Sequence, residues 1–444
     1  MQNFKIIFLA VYIIIFILSM VFAQNDSADT ILIKNRIILE NKLNAIIDDV
    51  KKNNLLLIAL DKAIAQEQES IIQARTLDPP IFNIEFFKSP IANFPNLFKN
   101  QEEIDYSIQQ ALPFPFKIIT RINIAKNKKV LSEKIKSITL LNLIKELKTL
   151  FYEYYFILRK IEINNENREL VKTYEAIARK QYEVGVGKLS DILRFQTEIS
   201  IYKNNEFIFN NELSSIKAKI NALRNISLET EIGYIPEITP PIFEYTTANL
   251  IKLAILHQPS ITKINTEINM KKTEITAAKN ELLPDFMIKL MYKQMTTMPD
   301  DYSFMIGMTI PIAPWSISKY ISSVKSANLL VQQAEKEYLN MINMLEVEIN
   351  NITNRISSNK EKIKTYKETI IPQARQSLMS TLSSYQTGAN NFLTILDAHH
   401  TLFSVLLEYH MAVMNYMIAI SELEYMIGTN LKDVCNIMSN SGER

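Results

Sequence analysis

Residues 182–193 read YEVGVGKLSDIL and residues 385–396 read YQTGANNFLTIL. Tyr182, Gly185 and Leu193 recur as Tyr385, Gly388 and Leu396 at one constant offset. Each stretch follows a long helical pattern and precedes another helix, to about Arg224 and about Ile427. A glycine just past a helix end takes a left-handed backbone conformation and lets the chain reverse. One such glycine is ordinary. Two at a fixed offset mark an internal duplication. The offset also relates Ile72 and Ala74 to Ile275 and Ala277, after which both segments run into proline, at Pro79-Pro80 and at Pro284.

Working outward, the first long pattern spans about Ile118 to Tyr182 with no Gly or Pro inside. Its Leu140, Ile144, Leu147, Phe151, Tyr154, Leu158 and Ile161 step by alternating fours and threes, which is a heptad seam. The second spans about Ile317 to Tyr385, with a matching seam from Tyr338 to Ile370. Asn359 is its polar member, a candidate register device. Pro372 predicts a kink or break, because proline removes a backbone donor and crowds the preceding turn. At 1.5 Å per residue each pattern reaches roughly 100 Å, too long for a compact domain. Glycine usage agrees: 7 in 444 residues, against a typical share of about 7%, leaves few turns.

Between the helices lie four segments of period two. Phe82, Ile84 and Phe86 alternate with Asn83 and Glu85; Ile104, Tyr106, Ile108 and Leu112 with Glu103, Asp105, Ser107 and Gln109. Phe286, Ile288, Leu290 and Tyr292 alternate with Asp285, Met287, Lys289, Met291 and Lys293; Tyr302, Phe304, Ile306, Met308 and Ile310 with Asp301, Ser303, Met305, Gly307 and Thr309. Such alternation predicts strands at about 81–88, 103–112, 285–293 and 301–310. Two readings fit: amphipathic hairpins over a soluble core, or strands crossing a bilayer. The second is favoured by segment length near the ~10 residues of a tilted transmembrane strand and by aromatics at the ends. On that reading Glu85, Asp105, Asp285, Lys289 and Lys293 face a wet lumen. Four strands cannot close a barrel, and an open edge is not tolerated in lipid. The chain must then oligomerise, and three copies give a twelve-stranded barrel, an even number within the known range.

The bulk properties exclude several classes. A formal net charge of +2 offers no field for nucleic acid. One cysteine, Cys435, allows no intrachain disulfide and no zinc cluster. No phosphate-binding glycine–lysine loop occurs, and no catalytic constellation, so neither a cofactor nor an enzymatic role is expected. Lys5, the apolar run Ile6–Phe22 and the small residues Val21 and Ala23 predict a signal peptide over 1–23; a retained anchor is the alternative, though the run is short for a span. No cysteine follows that site to carry a lipid. No other segment is expected to reach the ~20 apolar residues of a membrane helix. The expected organisation is a first repeat over 24–224, a proline-bearing linker over 225–247, a second repeat over 248–427 and a tail over 428–444.

Taken in order, the two glycine turns and the two strand-to-helix corners, Ala111-Leu-Pro-Phe-Pro-Phe-Lys117 and Thr309-Ile-Pro-Ile312, resemble the outer membrane efflux protein (TolC) family over nearly the whole mature sequence. The family often has glycine before the corner lysine, where this chain has Phe116. The resemblance implies a mainly α fold with a membrane β-barrel contribution: a long coiled-coil helical barrel plus four strands per chain, closed as a homotrimer in outer-membrane lipid. It implies an outer-membrane channel of a tripartite efflux or type I secretion system, partnered by a periplasmic adaptor and an inner-membrane pump of the RND or ABC type. It places the adaptor-docking turns at Gly185, Gly187, Lys188 and Ser190 and at Gly388, Asn390 and Asn391. In the family, acidic residues near these turns constrict the tunnel mouth. Asp397 and Asp191 match such positions, while Thr394 stands where some members carry a second acid. Both aspartates also suit a helix N-terminus as plain dipole partners.

Other features compete. His399 and His400 are adjacent, and neighbouring helix positions face apart, which argues against a shared metal. Methionines cluster around the second hairpin, from Met287 to Met308; thioethers suit Cu(I), and they also serve as apolar filler. A periplasmic adaptor would carry glycine-rich β domains, and a secreted coiled coil would not need four alternating strands.

Overall fold

The computed structural model describes residues 34–87, 91, 95, 102–387 and 392–431. The segments 1–23 and 432–444, Gly388, Asn390, Asn391 and Cys435 lie outside them. In chain order the elements are α1 (residues 34–53), α2 (Leu55–Arg75), β1 (Ile81–Phe87), β2 (Glu103–Leu112), α3 (Pro115–Glu183) and α4 (Leu189–Leu223). After the linker come α5 (Thr247–His257), α6 (Pro259–Asn280), β3 (Phe286–Met295), β4 (Asp301–Met308), α7 (Ile317–Thr365), α8 (Ile371–Gln386) and α9 (Phe392–Ile427). The chain divides into two compact units. Of the described residues, the first gathers those within 34–57, 139–258 and 345–431, and the second those within 58–138 and 259–344.

In the first unit the heptad seam of α3 is core. Leu147, Phe151 and Tyr154 are buried, with Leu140, Ile144 and Leu158 packed beside them. Leu345, Ile349, Ile352 and Ile356 of α7 and Val413, Tyr416, Leu423 and Ile427 of α9 join the same core. Asn359 donates its side-chain amide to the Arg355 carbonyl of its own helix at 2.9 Å, so a local bond satisfies it. The sequence expectation that no further helix is apolar enough to span a membrane is corrected by α9, which is long and apolar enough by composition. Its apolarity has a packing cause: residues from Phe392 to Ile427 line three of the unit's clusters.

The break expected at Pro372 is a single π-helical turn, Tyr366–Ile370, ahead of α8. Proline cannot donate to the ladder and crowds the carbonyl one turn back. The ladder accommodates this by widening, and the Ile371 N–H reaches the Tyr366 carbonyl.

The linker has no regular structure between residues 231 and 246, yet Ile232, Ile235, Ile238 and Phe243 are buried in the core. Side chains supply the partners its backbone needs. Arg159, itself buried, donates to the Ile235 carbonyl at 2.7 Å, pairs with Glu162 and lies over the rings of Tyr155 and Tyr234. Asn221 donates to the Leu228 and Thr230 carbonyls, and Tyr416 O–H to that of Pro241.

In the second unit the strands form one antiparallel sheet in the order β1-β2-β3-β4. The ladder ends at Phe87 in β1, runs to Met295 in β3 and stops at Met308 in β4.

Candidate functional site

The sheet sorts its residues by face because successive strand side chains point to opposite sides. On one side the register aligns Ile84, Tyr106, Tyr292 and Tyr302, then Phe82, Ile108, Leu290 and Phe304. Most of this side is exposed: Phe82, Tyr302 and Ile306 each exceed 60%, and Phe304 stands at 60%. Such a face, bare in one chain, calls for lipid or protein. On the other side Glu85 is opposite Asp105, Asp105 opposite Lys293, and Lys293 opposite Asp301. The Lys293 ammonium pairs with Glu103 at 2.8 Å and stands 3.7 Å from Asp105, one of whose carboxylate oxygens is buried without a hydrogen bond. Lys289 is opposite Gln109 and Met305 on the same side. Met287, Met291, Met295 and Met305 share that face, and Met308 lies on the apolar one.

Asp285 sits one residue before β3 and holds the corner. It accepts the Phe114 N–H at 3.0 Å and the Lys117 ammonium at 2.8 Å. Glu281 adds a second carboxylate 3.7 Å from the same ammonium.

At the first glycine turn, Gly185 has φ +78°, the left-handed value expected of it. The Val186 and Gly187 N–H groups both bond the Gln181 carbonyl at 2.9 Å. A Cβ on Gly187 would stand 2.8 Å from the Tyr182 nitrogen, so close backbone approach demands glycine there. Lys188 is the extended N-cap of α4 and makes no side-chain cap, while Ser190 Oγ donates to Asp191 Oδ1 at 3.3 Å. Behind the turn, Tyr174, Phe195, Tyr202, Tyr385, Phe392 and Ile395 form a separate buried cluster. Gln181 Nε2 donates to the Tyr385 carbonyl at 3.1 Å, tying the end of α3 to the end of α8. Asp191 is half-buried, and its charge adds to burial in raising the Tyr385 phenol above its ordinary range. Thr394 and Asp397 are exposed on the first turns of α9.

His399 is fully buried in this cluster, 3.1 Å from the Tyr202 hydroxyl and edge-on to the Tyr174 and Tyr202 rings. Its neighbour His400 points away, 3.7 Å from Glu198. Burial, helped by His400, pushes the His399 imidazole down to about 4. Sequence reasoning weighed His399 for metal and missed this packing role, as it missed Gln181; a polar residue among aromatics two helices away leaves no local signal. Among the described residues no group of three or more His, Cys, Asp or Glu could hold a metal.

The fold is shared with VceC from Vibrio cholerae (TM-score 0.72, 14% identity, 88% of this chain and 97% of that one). It is shared equally with the open state of MtrE from Neisseria gonorrhoeae (TM-score 0.71, 12% identity, 88% and 89%). The family model described as outer membrane efflux protein matches residues 250–429. Over 160 residues the chain is 23% identical to the cobalt-zinc-cadmium resistance protein CzcC of Cupriavidus metallidurans, covering 36% of this chain and 38% of that relative. Residues 250–429 thus match the outer membrane efflux protein family model, and the rest of the chain shares the fold of solved channels at low identity.

Proposed function

We propose that this chain is the outer-membrane channel subunit of a tripartite efflux or type I secretion system. The observation that carries the reading is the sheet: four strands in the order β1-β2-β3-β4, with β1 and β4 as open edges and an exposed apolar face. Edges of this kind are stable in lipid only when paired. Three copies pairing β4 of one with β1 of the next close a twelve-stranded barrel, with the Glu85–Asp105–Lys293–Asp301 row and Lys289 towards the lumen. The two halves, 24–224 and 248–427, are a duplicated unit that supplies alternating hairpins to that ring.

The glycine turns are the periplasmic mouth. Gly185, Gly187, Lys188 and Ser190 of one turn, with Gly388, Asn390 and Asn391 of the other, are its adaptor-docking surface. Asp397, Thr394 and Asp191 are its gate candidates. The duct is passive: an adaptor that binds the open arrangement better shifts the population towards it, and the pump supplies the energy. CzcC is named for cobalt, zinc and cadmium resistance, so divalent cations are the first cargo class to assay.

The test is membrane fractionation with mass determination in mild detergent. Recovery from the outer membrane as an SDS-resistant trimer with heat-modifiable mobility is expected. A soluble periplasmic monomer would overturn the reading.

A further inference from the structure

A cavity of about 520 Å³ opens within the first unit, walled by α1, α3, the linker and the end of α9. Its floor is apolar, with Leu39, Leu43, Ile144, Phe243 and Met417. A volume of this order accommodates a small organic molecule. Its rim is basic. Arg36 is engaged by Glu40, Lys51 by Asp48, and Lys148 by Glu424 at 2.5 Å. Lys145 differs: its half-buried ammonium stands 4.4 Å above the Tyr425 ring, and no carboxylate among the described residues pairs with it.

We propose that this cavity binds a free amphipathic monoanion, a carboxylate head on an unbranched apolar chain. The head pairs with Lys145 and the chain covers the Leu39–Phe243 floor. The charges select this class. A neutral amphiphile leaves the lysine without a counter-charge, and an amphipathic cation brings a second positive charge to Lys145. A small inorganic anion leaves the apolar floor in water, which forgoes the larger part of the burial. The site is built from the first unit alone and does not depend on where the sheet lies.

The experiment is equilibrium dialysis of the full chain, held in amphipol, against carboxyl-labelled dodecanoate, with dodecanol as the uncharged control. One dodecanoate per chain is expected, with dodecanol binding far more weakly. K145Q should weaken dodecanoate roughly tenfold, the usual loss for one charge-assisted bond, and leave dodecanol unchanged. K145R, which keeps the cation, should restore binding and guards against a folding defect. Equal binding of both amphiphiles, or an unchanged K145Q, would reduce the cavity to non-specific partition and overturn the proposal. So would absence of binding to the wild-type chain, which would leave the cavity to a second copy or to another segment of the protein.

Discussion

Lys117 and Asp285, 168 residues apart in sequence, meet at 2.8 Å where β2 turns into α3 and α6 turns into β3. The pair joins the β2–α3 corner to the α6–β3 corner. The Lys117 side chain is only 8% exposed, and Asp285 is its closest carboxylate, with Glu281 farther off at 3.7 Å.

Asp285→Asn should therefore cost about 1–3 kcal/mol, because a nearly buried ammonium loses its closest carboxylate. A K117M/D285L pair should cost less than the single change, since both charges leave together. A double-mutant cycle on thermal unfolding checks this; additive losses would mean the two groups are not coupled.

The glycines of the first turn differ in what they resist. Gly185 has open space around it and resists only through φ, so G185A should cost about 1 kcal/mol. Gly187→Ala drives a methyl into the Tyr182 and Gln181 backbone and should cost more. Denaturation midpoints of the two variants give the ranking, and the reverse order would refute the steric assignment.

Gly428 closes α9 with φ +74°, and an added Cβ would lie 2.7 Å from the His257 carbonyl oxygen. The neighbouring Gln258 amide donates to the Tyr425 carbonyl at 2.8 Å, so this junction has no room to shift. G428A should destabilise the first unit by about 2–4 kcal/mol, combining strain and overpacking. Hydrogen exchange localised to α5 and the end of α9 would report it.

His399 and His410 are both pushed down to about 4, by burial first and then by His400 and Arg159 respectively. Each is neutral when folded, and an unfolded imidazole titrates near 6.5. Their stabilising contribution is complete above pH 6.5 and falls away as the pH drops towards 4. For His399 the loss approaches about 3 kcal/mol. His399→Phe keeps the ring and removes the titration, so its stability curve should be flatter over that window. A wild-type curve flat between pH 6.5 and 4 would contradict the buried neutral state.

The helices and strands were legible because each rests on a local period. Leu147, Phe151 and Tyr154 announce a seam, and Tyr302 to Met308 announce a strand, through spacing alone. Gly185 was legible because a left-handed turn needs that residue type. Pro372 announced a break, though not that the break would be one wide turn. Asp285 carried the period of a lumen-facing strand position, and only the structure shows its carboxylate on Lys117, one residue ahead of β3.

Sequence by itself determined the elements and the amphipathic faces, because periodicity and turn chemistry act over a few neighbouring residues. Only the tertiary structure decided that Lys117 meets Asp285, that Gln181 ties α3 to α8, that His399 is neutral among aromatics and that Lys145 overlooks an apolar cavity. Those depend on which helix faces which at distances of a few ångströms, and no local pattern along the chain encodes such a meeting.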